Sequence, residues 1–288
     1  MDAVVSGIVL AGLYALVGQG LVLTFVTTRT LNFASGELLA VGGFLALGVG
    51  SWSWLPTPGK LAVVVLVGGV LGAVVHRWLV LPFARGEHDS RWLLSTVGVS
   101  YVLLNLFTNG EGANPQRVEL TRNPGTVELL GVGVNRQSLV IAVIAVVVTL
   151  ALVAASRWTS GGVVMRAVAE DPRTVALMGI SPRLVGAVAY AGATALAALA
   201  GVLWASEVGA TPGLGVHVLV SAFAVAVIGG LTSFWGPLVG AVVFGVVVQV
   251  SAYELGALWG QVAGLVLVIV VLVLRPEGLV GRRVEAKL

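Results

Sequence analysis

From Leu139 to Ser156 the chain reads LVIAVIAVVVTLALVAAS, and from Leu184 to Leu203 it reads LVGAVAYAGATALAALAGVL, with no charged side chain in either run. A helix rises about 1.5 Å per residue, so runs of this length match the roughly 30 Å hydrocarbon core of a bilayer. Comparable apolar segments recur at about residues 3–26, 36–51, 61–80, 92–108, 138–155, 184–205, 216–231, 236–252 and 257–274. They predict an all-α polytopic transmembrane helix bundle of eight to ten spans, nine by this division, as a single domain over residues 1–288. The composition fits only that class: 58% of residues are hydrophobic and 10% charged, against about 25% charged in soluble domains. The 39 glycines also suit membrane helices, where small residues let backbones approach closely.

Charge sets the expected orientation. Arg29, Arg77, Arg85, Arg91, Arg157, Arg166, Arg173, Arg183, Arg275, Arg282, Arg283 and Lys287 fall in loops that share one face, twelve of the sixteen basic residues. Lys60, Arg117, Arg122 and Arg136 fall on the other. The positive face stays in the cytoplasm, so the N-terminus is expected outside and the C-terminus inside. The pI near 9.7 is then a matter of topology and points to no nucleic-acid partner. Residues 109–137 become an extracytoplasmic loop, read as a plain connector or as a docking surface. The start of the chain lacks the basic n-region of a cleavable signal and is read as a retained first helix.

Small residues at helical spacing, Ala193, Ala197 and Gly201 on one segment and Gly236 and Gly240 on another, predict close helix packing. There are no cysteines, and His76, His88 and His217 are far apart. Disulfides, thiolate catalysis and cysteine metal sites are excluded, and no metal-ligand spacing is present.

Two apolar runs are broken. TLNFASGELLAVGGF, from Thr30, places Asn32, Ser35 and Glu37 at the mouth of a segment too short to span alone. Ser35 is expected as the helix N-cap and Glu37 in its first turn. IGGLTSFWGPLVGA, from Ile228, is interrupted by Gly229, Gly230, Ser233, Gly236 and Pro237. It is either a tight cytoplasmic turn or, with the first break, half of a transporter's central site. Asn32, Ser35, Gly36, Glu37, Gly229, Gly230, Ser233 and Gly236 are therefore the candidate substrate-pathway residues. Glu37 is read as a carboxylate closing a helix at the interface or as a solute contact.

One charged segment stands apart: RAVAEDPRTVALMGIS, Arg166–Ser181. Asp171 before Pro172 predicts an N-cap with proline at the first helical position, and Gly179 a left-handed stop. A preceding helix is expected over Val163–Glu170, with Arg166 and Glu170 paired at i, i+4. Val168, Val175, Leu177 and Met178 would be presented amid charge on two short helices hinged at Asp171.

LNFASGE, RAVAEDPRTVALMGI, GGLTSFWGPLVGA and the terminal LRPEGLVG, in that order, together resemble the branched-chain amino acid ABC transporter permease family. Ser35 departs from the pattern, standing where many relatives carry histidine. The resemblance implies an inner-membrane permease subunit that binds no cofactor itself. It pairs with a sister permease, as a heterodimer or with a second copy of itself. Two ATPase subunits carry ATP and Mg, and an extracytoplasmic solute-binding protein delivers the solute. Residues 156–183 become the cytoplasmic coupling loop, with Arg166, Glu170, Asp171, Pro172, Arg173 and Gly179 as the ATPase-coupling residues. The solute implied is a branched-chain or related amino acid, while close relatives move urea, amides or small organic acids.

No G-x-x-x-x-G-K-[ST] loop is present, and the lysines are Lys60 and Lys287, so hydrolysis of that kind must lie on other chains. An ion-coupled secondary transporter is the alternative mechanism. It needs intramembrane carboxylates, and Glu37 and Glu254 are the only candidates. An intramembrane enzyme needs an acid/base or metal constellation, and none is visible.

Overall fold

The structure, a computed structural model, describes residues 2–83, 91–111, 114–116, 118, 125–129 and 132–281. Its helices are α1 (Asp2–Thr28), α2 (Ser35–Gly50), α3 (Thr57–Val74), α4 (Arg91–Glu111), α5 (Arg136–Trp158) and α6 (Ser160–Glu170), followed by α7 (Pro172–Leu177), α8 (Pro182–Val208), α9 (Leu214–Gly229), α10 (Gly236–Leu255) and α11 (Ala257–Leu274). A π-helical turn, Val75–Val80, continues α3. Each apolar segment read from the sequence is a helix. Among the described residues seven helices are long and apolar enough to cross a membrane. The other two, α2 and α9, have 16 residues each, about 24 Å of helix.

The helical architecture carries one addition. Within the stretch expected as a loop, β1 (Thr126–Leu129) pairs antiparallel with β2 (Val132–Asn135), Thr126 opposite Asn135 and Leu129 opposite Val132. Asn135 then starts α5 by accepting the Gln137 N–H at 2.9 Å. Much of the rest of the 109–137 loop, including Arg117 and Arg122, lies outside the described residues, as do Arg85, His88, Arg282, Arg283 and Lys287.

The chain divides into two compact units, Met1–Val22 with Pro124–Ala154 and Val220–Leu288, and Leu23–Asn123 with Ala155–Leu219. In the second, α2 and α3 pack on α8 through small residues. A Cβ at Gly42 would strike the Ala198 backbone, one at Gly72 the Tyr190 carbonyl, and one at Gly201 the Leu39 carbonyl. Ala193 and Ala197 are buried there as their spacing predicts. Phe44 stacks on Phe107 with ring centroids 4.7 Å apart. In the first unit Gly7 meets the backbone of Gly245, Gly12 that of Ala142, and Gly240 the Val225 carbonyl. Tyr14 sits edge-on to Phe244 at 5.8 Å. In lipid no hydrophobic force draws helices together, so these backbone approaches supply the attraction.

Candidate functional site

The link from α1 to α2 is built from hydroxyls and one amide. Thr28 hydrogen-bonds Thr30 at 2.7 Å, and Thr30 hydrogen-bonds the Tyr190 hydroxyl of α8 at 2.6 Å. Arg29 closes α1 with φ 57°, its N–H donating to the Phe25 carbonyl. The start of α2 differs from expectation. Ser35 is not the cap: Ala34 occupies that position, without a side-chain cap bond. Asn32 does the work instead, its Oδ1 accepting the Ala34 N–H at 3.1 Å and its carbonyl the Ser35 N–H at 3.1 Å. An asparagine side chain reaches backbone two residues on, so the turn forms one step earlier than a serine cap would place it.

Among the described residues, this arrangement leaves four buried polar atoms without a hydrogen bond: Asn32 Nδ2, Ser35 Oγ and both oxygens of Glu37. Asn32 and Glu37 are 0% exposed and Ser35 3%. Gly36 between them lies against α9: a Cβ there would strike the Gly215 carbonyl, and one at Gly215 the Gly36 carbonyl. The first turns of the two short apolar helices thus touch backbone to backbone. Gly213, with φ 81°, and Gly215 were not among the residues picked from the sequence. Their signal is the break GATPGLG at 209–215, which flanks an apolar run as the other breaks do.

The second break, between α9 and α10, belongs to the other unit. Gly229 ends α9, Gly230 takes φ 105°, and Pro237 sits in the first turn of α10 as expected. Its backbone is satisfied from three directions. Ser233 Oγ accepts the Trp235 N–H at 3.3 Å. Leu279 and Val280 N–H donate to the Ile228 and Gly229 carbonyls at 2.8 and 2.9 Å. Gln19 Nε2, fully buried on α1, donates to the Phe234 carbonyl and to Thr149 Oγ1, both at 2.8 Å. Gln19 and Thr149 each lie nine residues before the end of their helices, about 14 Å inside them. The turn therefore lies at the depth of the helices and not at their ends. Irregular backbone there is tolerated because protein covers it. Gly278 and Gly281 allow that cover, packing against Gly230 and Glu277 where any Cβ would collide.

The charged segment forms α6 and α7 with Asp171 between them. Asp171 caps α7: its Oδ1 accepts the N–H groups of Arg173 at 2.9 Å and Thr174 at 3.2 Å, and its other oxygen the Thr174 hydroxyl. These bonds, the Thr174 hydroxyl first, hold its carboxyl below the ordinary carboxylate value. A depressed value means the stabilisation is complete above the usual carboxylate range and lost only as pH falls through the lower folded value. Pro172 is at the first position of α7, and Gly179 stops it with φ 84°.

Three details correct the expectation. Thr159 accepts the Gly162 N–H, so α6 begins at Ser160 and not at Val163. The Arg166 guanidinium donates to the Ser156 carbonyl and not across the turn to Glu170. Of the four apolar residues, Val168 and Val175 are buried, and only Leu177 and Met178 stand out, 89% and 74% exposed. Short helices must bury one face to hold their shape, so one apolar pair is spent on structure. Among the described residues no three His, Cys, Asp or Glu side chains gather to hold a metal.

Long apolar helices, two shorter apolar helices with touching N-terminal turns, and an exposed capped hinge fit a multi-pass membrane protein of the transport-permease class. The chain belongs to the family described as the permease component of the branched-chain amino acid transport system, which it matches over residues 3–272. It is similar to the high-affinity branched-chain amino acid transport system permease protein LivH of Salmonella typhimurium, 28% identical over 96% of this chain and 94% of that one. It is equally similar to BraD of Pseudomonas aeruginosa, 28% identical over 98% and 96%. The probable branched-chain amino acid transport permease protein LivH of Methanocaldococcus jannaschii is 25% identical over 96% and 91%.

Proposed function

We propose that this chain is the membrane-spanning subunit of an ATP-driven importer that moves branched-chain or related amino acids into the cytoplasm by alternating access. It lies in the inner membrane with nine membrane segments, α2 and α9 being the short ones, its N-terminus outside and its C-terminus inside. Residues 109–137 face outward toward a solute-binding protein, and residues 156–183 face the cytoplasm. It pairs with a sister permease, and two ATPase subunits hold ATP and Mg. Asn32, Ser35, Gly36 and Glu37 are the pathway residues of one unit, and Gly229, Gly230, Ser233 and Gly236 form the corresponding fixed turn of the other.

One observation carries this reading: the Asp171-capped hinge, anchored by buried Val168 and Val175, which presents Leu177 and Met178 to the outside in a chain of this family. A large apolar pair fully exposed on a stiff, charged element suits insertion into a groove on another protein. Closure of the ATPase pair would push α7, and α6 and α8 would pass the movement to the membrane helices. Arg166, Glu170, Pro172, Arg173 and Gly179 complete the grip.

The test is reconstitution with the partner subunits, measuring ATP turnover and solute uptake in the same vesicles. Glu170→Ala with Asp171→Ala is expected to leave the chain inserted, cut uptake at least tenfold and either release the ATPase subunits or uncouple hydrolysis. Wild-type uptake and wild-type turnover together would reduce the segment to a solvated loop.

A further inference from the structure

Tyr190 is fully buried on α8, eight residues or about 12 Å beyond Pro182. Only four residues separate the start of α8 from the end of α7. A buried phenol needs a partner for its hydroxyl. That partner is Thr30, at 2.6 Å, and Thr30 is in turn 2.7 Å from the Thr28 hydroxyl. Each hydroxyl has a single proton to give, and this fixes the direction of the chain. Thr28 donates its own to the Thr24 carbonyl at 2.8 Å, so Thr30 must donate to Thr28, and Tyr190 to Thr30. The bonds run one way, from α8 into the last turn of α1, and each polarises the next.

The ring is seated as closely as the hydroxyl. Its centroid is 5.0 Å from that of His76 in the π-helical turn. One turn earlier on α8, a Cβ at Gly186 would come within 2.6 Å of His76 Nε2 and 3.1 Å of Thr28 Cγ2. Packing this close transmits displacement, so α8 does not slide past the end of α1 without moving it. Thr30 itself belongs to neither helix. Before it stands Arg29, whose φ of 57° a non-glycine residue holds only where its surroundings impose it. After it comes Asn32, which forms the turn that starts α2.

We propose that Tyr190 is a positioning residue for transport: its hydrogen bond to Thr30 ties α8, and through α8 the Asp171 hinge, to the link that sets the start of α2. This rests on the importer assignment above and names the atoms that carry movement of the hinge toward the pathway residues. Because α8 is one unbroken helix from Pro182 to Val208, a shift of its first turn takes Tyr190 with it. A phenylalanine would fill the same seat and let α8 move without the link.

The experiment uses the complete importer, with sister permease, ATPase subunits and binding protein, in vesicles supplied with L-leucine and ATP. It reads the ATP hydrolysed per leucine taken up. Tyr190→Phe and Thr30→Val each delete the bond at nearly constant volume, and Thr30→Ser keeps it. The two deletions should co-purify with the partners, hydrolyse ATP within twofold of wild type and raise the ratio at least fivefold. The double variant should be no worse than either single one, and Thr30→Ser should match wild type. A wild-type ratio in both deletions overturns the proposal, even where the unfolding temperature falls, and so does a ratio raised equally by Thr30→Ser. Should one deletion fail to assemble, the other decides; failure of both assigns the bond to folding and also overturns it. The two assignments fail differently. Wild-type uptake that persists without ATP sinks the importer, whereas ATP-driven uptake with a ratio indifferent to both deletions sinks the role of Tyr190 and leaves the importer.

Discussion

The α1–α2 link and the α9–α10 turn look alike in sequence, each a short polar or glycine-rich break in an apolar run. They are finished in opposite ways. Around Gly230 the carbonyls of Ile228, Gly229 and Phe234 all receive donors, from the C-terminal segment and from Gln19. Around Gly36 the side chains of Asn32, Ser35 and Glu37 are buried with donors and acceptors unspent. A saturated break is scaffold, because nothing further is needed to stabilise it. An unsaturated one keeps its donors and acceptors for a partner outside the described residues. On the proposed reading the contrast separates residues that hold the fold from residues that meet the solute.

The largest effect expected from this difference is at Gly230. Its φ of 105° disfavours any side chain, and a Cβ would meet the Gly281 backbone and the Glu277 carbonyl. The left-handed conformation alone costs about 1–2 kcal/mol for a non-glycine residue, before the collision. Gly230→Leu is therefore expected to lower the amount of folded chain recovered in detergent and its unfolding temperature. A variant that is fully stable but inactive would move this turn into the solute-contacting class and break the comparison.

A smaller loss is expected where the C-terminal segment closes the same turn. Leu279→Pro removes the N–H that satisfies the Ile228 carbonyl and leaves a buried acceptor unmatched, about 1–3 kcal/mol. Thermal unfolding of the purified chain should register that loss, with leucine uptake per folded molecule unchanged. Reduced uptake per molecule at unchanged stability would make the C-terminal segment part of transport.

What the sequence could reveal follows the range of the interactions. The hinge was legible because caps are local: Asp171, Pro172 and Gly179 decide their own geometry within a turn. So were the helices, from length and apolarity. The Thr159 cap of α6 is as local as these, yet the start expected from the sequence is Val163, three residues beyond Ser160. The burial of Val168 and Val175 was not legible, since it depends on which face meets neighbouring elements. Nor was the partner of Gly36, because Gly215 lies far along the chain and is brought there by packing. The exchange of roles between Ser35 and Asn32 was a choice between two good capping residues three apart. The consequence is that the serine not used as a cap makes no side-chain hydrogen bond among the described residues.

The smallest and sharpest test sets two serines against each other. Ser233 Oγ accepts the Trp235 N–H, so Ser233→Ala gives up one turn-stabilising bond, about 0.5–1.5 kcal/mol, and should leave transport per folded molecule alone. Ser35 Oγ has no hydrogen-bond partner among the described residues, so Ser35→Ala removes no bond seen to hold the fold and relieves one buried unmatched group. Its unfolding temperature should equal or slightly exceed that of wild type, while leucine uptake per folded molecule falls several-fold if the hydroxyl serves the proposed pathway. Each alanine variant thus moves one quantity and spares the other. If Ser35→Ala instead lowers stability and leaves uptake untouched, its hydroxyl belongs to the scaffold, as that of Ser233 does.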